Sequence, residues 1–253
     1  MMWLYGGVIA MDNQTKVLDS LYNDMANSTN VTLPTQLYGL NTKTWQWTIN
    51  DLPTQYDTRA DHGAAITGDN KMYIIGGMTI KTNVPPNQSR SYVSMDQILI
   101  FDTINQGWTQ IKSQGQTPTS RRAFTMDYLP KQNQFVIYGG VYDSGNRTTG
   151  RNVSADICYT LNVSTATWTF HDIQTSNAGN QMGAGQIYGH SSILYDDKLY
   201  LLFGVDENRE YRDDINILDT LTWKWASQNG TPSSIWTTGT LVGLVFGILG
   251  GVS

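Results

Sequence analysis

The chain has 253 residues, a net charge of −5 and 15% charged side chains, against about 25% in an ordinary soluble domain. It has no basic run, which argues against nucleic-acid binding, and its one cysteine, Cys158, cannot form an internal disulfide. The 24 glycines, 14 tyrosines and 8 tryptophans predict many short strands joined by tight turns.

The start, Met1-Met2-Trp3-Leu4-Tyr5-Gly6-Gly7, lacks the basic stretch and long apolar core of a signal peptide. It reads as a strand running into a glycine pair. A long loop, Val8–Thr35, leads to a second strand, Gln36–Asn41, a Thr-rich turn and Trp45. The pattern then repeats. The second unit has a strand at Gly63–Ile66, another at Met72–Ile75 before Gly76-Gly77, a loop at Met78–Met95, a strand at Gln97–Asp102, and Trp108. The third has Ala123–Met126, Val136–Tyr138 before Gly139-Gly140, Val141–Ala155, Ile157–Asn162, and Trp168. The fourth has His190–Leu194, Tyr200–Phe203, Gly204-Val205 where a glycine pair is expected, Ile215–Asp219, and Trp223. Each complete unit supplies four strands, and unit one enters at its second, so 15 strands are expected. Four antiparallel strands cannot bury both faces alone, so the units must stack; arranged radially they make a propeller.

From Ile235 to Val252 no residue is charged, a stretch of roughly 27 Å as a helix, enough to cross a bilayer core. Trp236 stands where an interfacial anchor belongs. Gly239, Gly243, Gly247 and Gly251 form one smooth stripe that suits helix pairing. The expected division is therefore blades over 1–228, a linker at 229–234 and a truncated transmembrane helix at 235–253. With neither a signal peptide nor a basic flank after the span, the sequence reads as a piece of a longer protein.

The Gly-Gly pairs, the strands ending in Asp or Asn, and the Thr-rich turn leading to tryptophan resemble the kelch repeat over nearly the whole chain up to Gln228. The overall pattern is similar to membrane-anchored fungal kelch proteins, within the propeller superfamily that includes galactose oxidase. The resemblance implies an all-β propeller, here about four blades of a ring that usually has six or seven, and a binding or scaffold role.

Eight Asn-x-Ser/Thr sequons occur, at Asn13, Asn27, Asn30, Asn87, Asn146, Asn152, Asn162 and Asn229. Chance placement of this composition gives about 3.5, so the excess favours a glycosylated protein with its blades on the extracellular or luminal side. Six of the eight lie in the loops after the glycine pairs. Strand alternation puts those loops on the same face as the blade linkers, which contain Arg59, Asp61 and His62, and Arg121 and Arg122. Loops on a rigid scaffold are the usual place for recognition, although the arginines are better read as residues of the repeat.

The residues support no catalytic assignment. His62 and His190 hold equivalent repeat positions, His171 lies near an outer strand, and Cys158 alternates with apolar neighbours as a buried side chain. Asp213-Asp214 reads as turn or Ca²⁺ decoration. No nucleophile elbow or phosphate loop is present. The expectation is a non-enzymatic module with no cofactor and no metal, binding a protein or glycan and able to self-associate through its helix. The alternatives are a fragment of a copper oxidase like galactose oxidase and an intracellular kelch scaffold.

Overall fold

Apolar residues at strand spacing, punctuated by glycine and Asx turns, fold as four successive antiparallel sheets. The computed structural model describes residues 1–7, 9–10, 31–80, 90–143, 151–173, 176–177, 180–181 and 183–226. The first sheet holds Met2–Tyr5, Gln36–Leu40 and Trp47–Asp51. The second holds Gly63–Ile66, Lys71–Ile75, Gln97–Asp102 and Gly107–Lys112. The third is built from Thr125–Leu129, Gln134–Tyr138, Cys158–Asn162 and Thr167–Phe170. It also takes Gln114–Gly115 from the end of the second unit as a parallel fifth strand. The fourth holds Ser191–Tyr195, Lys198–Leu202, Ile215–Asp219 and Lys224–Trp225. The first strand of each complete sheet lies against its counterpart in the next, so these edges converge. No helix among the described residues is long and apolar enough to cross a membrane. The segment 235–253, with Gly239, Gly243, Gly247 and Gly251, lies outside them.

Alternation along the strands sends successive side chains to opposite neighbours. In the second sheet Met72 and Ile74 face the first, meeting Leu37, Trp3 and Tyr5. Tyr73 and Ile75 face the third, meeting Met126, Phe135, Ile137 and Trp168. Between the third and fourth, Val136, Tyr138 and Cys158 pack on Leu199, Leu201 and Leu218. Cys158 is fully buried, as expected, and burial raises its thiol pKa well above the ordinary value.

A recurring turn sets the strand register. The side-chain oxygen of Asn41, Asp102, Asn162 and Asp219 accepts the backbone N–H groups two and three residues on, at 2.8–3.2 Å. The residue four on turns left-handed: Trp45, Gln106, Ala166 and Trp223 have φ of 51–57°. Six residues on stand Trp47, Trp108, Trp168 and Trp225. This corrects the sequence alignment, in which Trp45 and Trp223 were the repeat tryptophans. The equivalents of Trp108 and Trp168 are Trp47 and Trp225, whereas Trp45 is 71% exposed at a turn and Trp223 stacks on His171 at 3.7 Å.

The glycine pairs are needed because the next sheet's linker runs against them. Gly139 has φ +68°, and a Cβ there would lie 2.2 Å from the Ile187 carbonyl oxygen. The fourth unit corrects a second expectation. Its pair is Phe203-Gly204, with φ of 62° and 101°, and not Gly204-Val205. Arg212 N–H donates to Gly204 C=O as Ser154 does to Gly140 and Val93 to Gly77, which fixes the equivalence. A side chain is tolerated at Phe203 because no following linker packs there among the described residues.

The repeat tryptophan packs on the preceding sheet. The Trp168 indole N–H donates to the Met95 carbonyl across the junction at 3.2 Å, and Trp108, only partly buried, lies 5.5 Å from Tyr5. Trp225 meets Tyr138 edge-on at 5.9 Å. Trp47 has no such cover among the described residues and is 54% exposed. Register places Met2, Leu4, Tyr38 and Ile49 on the same open face.

Candidate protein-interaction face

At one end of the sheets, each linker is stitched to the hairpin that follows its own sheet's glycine pair. Ala60 bridges to Met78, Arg122 to Val141, and Ile187–Tyr188 pairs with Val205–Asp206. The second glycine of one sheet then donates to the next linker: Gly7 to Arg59, Gly77 to Arg121 and Gly140 to Ile187. The linkers are also bonded to one another, Ala123 N–H to Asp61 and Gly189 N–H to Ala123. The result is a continuous hydrogen-bonded frame across three junctions.

The hairpin arms rise from this frame: Ile9–Ala10 with Val31–Thr32, Met78–Ile80 with Arg90–Tyr92, and Val141–Asp143 with Arg151–Val153. The insertions they carry include Asn13, Asn27, Asn30, Asn87 and Asn146, all outside the described residues, as is Asn229. Asn152 lies on an arm, half-buried, opposite Tyr142. Asn162 lies at the far end of its sheet, with its carboxamide oxygen committed to the repeat turn.

The arginines are parts of the frame. Arg59 is 2% exposed and donates to the carbonyls of Ile74 and Gln97 at 3.2 Å. Arg121, 0% exposed, donates to the carbonyls of Thr119, Gly139 and Asp156 and lies 2.5 Å from the Asp156 carboxylate. Arg122 reaches back to the preceding linker, 2.5 Å from Asp61 and 3.3 Å from the Tyr92 hydroxyl. Sequence inspection could have found this arrangement from the two equivalent arginines preceding equivalent strands. Tyr211, the most exposed large hydrophobic residue described, stands on this face beside Glu207 and Glu210.

The three histidines keep separate company. His62 packs edge-on against Tyr5 at 5.3 Å, and His190 meets the Thr125 hydroxyl at 2.9 Å and the Tyr138 ring at 5.7 Å. His171 meets the Thr160 hydroxyl and stacks on Trp223. Asp214, half of the Asp213-Asp214 pair, is bonded to Arg212 and Asn216. Among the described residues no group of three or more His, Cys, Asp or Glu is placed to hold a metal ion.

Burial holds His190 neutral, with its pKa near 3, and holds His62 near 4, where the Arg59 charge adds to the effect. Both values lie below the unfolded value of about 6.5, so only the unfolded chain takes up these protons. Their contribution is complete above pH 6.5 and is lost as pH falls toward 3–4. For His190 the expected loss at pH 5 is about 2 kcal/mol. Asp127, raised by burial, opposes this trend. Thermal melts from pH 7 to 4 should show the decline, with a shallower slope for His190→Gln; an equal slope would refute the assignment.

Residues 86–243 match the KLHDC2/KLHL20/DRC7 Kelch-repeats domain, more than half of the chain. The chain belongs to the kelch-repeat family. The match continues through 235–243, the first part of the apolar tail. Acyl-CoA-binding domain-containing proteins 4 and 5 of Arabidopsis thaliana are each 25% identical to the kelch chain, over 78% and 75% of it. The alignments span only 28% and 27% of those proteins' own lengths. The solved structure of YjhT superposes with a TM-score of 0.57 at 15% identity, covering 80% of the kelch chain and 63% of YjhT. This likeness shows the fold alone.

Proposed function

We propose that this kelch protein is a non-enzymatic scaffold that holds a protein or glycan partner on the face of its post-glycine hairpins. The observation that carries the reading is the frame: Arg59, Arg121 and Arg122 are absorbed in fixing the linkers, and the long insertions are joined to paired hairpin arms that rise from it. Loops carried on a hydrogen-bonded scaffold are the usual place for recognition. The sequon excess and the apolar tail extend the proposal: the sheets lie outside the cytoplasm and segment 235–253 tethers them to a membrane, as in the fungal kelch proteins the sequence resembles.

The test uses the full chain behind an added signal peptide in a eukaryotic host. Expected are resistance to alkaline extraction, lost on truncation after residue 234, and an endoglycosidase mobility shift that includes Asn152. Replacing 81–89 and 144–150 by short Gly-Ser turns should preserve the melting midpoint and abolish capture of the cell-surface partner found with the parent. Extraction at high pH or absence of glycan would sink the membrane and luminal reading. Stoichiometric copper in the purified protein would overturn the non-enzymatic one.

A further inference from the structure

At the opposite end from the glycine hairpins, a cleft of about 540 Å³ opens between the second and third sheets. That volume lies within the range of small-ligand sites, roughly 300–1,000 Å³. Tyr73 and Tyr128 line it, and both rings pack against Phe135, at 4.8 and 5.4 Å, so their positions are braced by the core. Along the rim the Tyr128 hydroxyl donates to the Asn133 carboxamide at 2.9 Å, and the Asn133 amide donates to the Ser164 hydroxyl at 3.0 Å. By their inventories the Asn133 amide keeps a second N–H and the Ser164 hydroxyl its own proton. The rim's ammonium, Lys71, is paired with Asp69 at 2.7 Å, and the Thr67 hydroxyl also donates to that carboxylate.

This chemistry selects among ligands. A phosphate or carboxylate would have to compete with Asp69 for Lys71, the rim's one cation. A divalent cation needs several oxygen ligands of high charge, and the rim's one carboxylate is held by Lys71 and Thr67. Aromatic rings beside neutral donors and acceptors suit a molecule with an apolar C–H face and an edge of hydroxyls. We propose that this cleft binds a neutral saccharide of one ring, set against the half-buried Tyr128, with the buried Tyr73 at its floor and its hydroxyls on Asn133 and Ser164.

The site does not depend on the protein partner proposed for the opposite face, and it carries its own control. Gly68 lines the cleft, its backbone is not left-handed, and a Cβ there meets nothing within 4 Å. Gly68→Trp therefore adds a large side chain at the cleft wall with no backbone strain and no clash at its Cβ. Val163 and Ser164 complete the Asn162 sequon, so a glycan on Asn162 would begin at the same rim. Whole chain from a bacterial host, which attaches no such glycan, leaves the cleft open. The probes are the methyl glycosides of glucose, galactose and mannose, with glucose 6-phosphate as the anionic arm, titrated by NMR. At least one neutral glycoside should bind with Kd in the low millimolar range or tighter. Gly68→Trp should weaken it at least about tenfold at an unchanged melting midpoint, and Ser164→Ala should weaken it severalfold. The proposal is overturned if all three glycosides fail to bind below about 10 mM, if Gly68→Trp binds like the parent, or if glucose 6-phosphate binds more than about tenfold tighter than any neutral sugar.

Discussion

Trp168→Ala is expected to lower stability by about 3–5 kcal/mol, whereas Trp45→Ala should change it by less than about 0.5 kcal/mol. Trp168 is 1% exposed, packs among Tyr159, Met126 and Ile98 between two sheets, and donates its indole N–H to the Met95 carbonyl. Truncation opens a cavity that the β-sandwiched surroundings cannot close, and it orphans a buried acceptor. Trp45 sits left-handed at an exposed turn and loses little on truncation. Trp108→Ala should fall between the two, since its ring is partly covered. Chemical denaturation of the variants checks the ranking. Equal losses at 45 and 168 would mean that the turn register, with the repeat tryptophan six residues after the Asx residue, is wrong.

Arg121→Ala should be of similar size, about 3–5 kcal/mol, because it removes one member of a buried charge pair. Three carbonyls, from Thr119, Gly139 and Asp156, lose their donor, and the Asp156 carboxylate, one-quarter exposed, loses its counter-ion. Asp156 would keep bonds from the Thr119 N–H and the Tyr159 hydroxyl, so part of the charge stays solvated. Arg122→Ala should do less than half the damage, since its partner Asp61 is about a third exposed and water can replace the guanidinium. The pair Arg121→Met with Asp156→Ala should recover part of the single-variant loss, because no charge is then stranded. If Arg121→Ala melts with the parent, the arginine does not hold the frame and is available for recognition.

Much of this architecture is legible in the residues. The glycine pairs, the Asp or Asn closing each third strand and the apolar runs marked out four units, and the sheets fall where those units predicted. Local chemistry explains this success: left-handed turns call for glycine, and an Asx side chain closes its own turn, whatever surrounds them. Cys158 was readable as a buried side chain because it stands in an apolar strand of a stacked sheet, where both faces are covered.

What the sequence left open was settled by contacts between sheets. Tryptophans two residues apart, at 45 and 47 and at 223 and 225, look interchangeable in a string of letters. Only the pairing register shows that one of each pair takes the left-handed turn and the other holds the repeat position, where Trp225 packs on the preceding sheet and Trp47 stays exposed on the first sheet's outer face. Phe203 could not be recognised as the first member of its pair, because the need for glycine comes from a neighbouring linker's carbonyl, as Ile187 imposes it on Gly139. Arg59 and Arg121 could be read as residues of the repeat, but not what they hold, which appears only when the ends of two strands and a linker close around them. The cleft between Tyr73 and Tyr128 joins turns from two units about 60 residues apart, and no local pattern marks it. Turn geometry is determined within a few residues and so is written in the sequence. Which side chains become core, frame or cleft depends on how neighbouring sheets stack, and that is decided only when non-local surfaces meet.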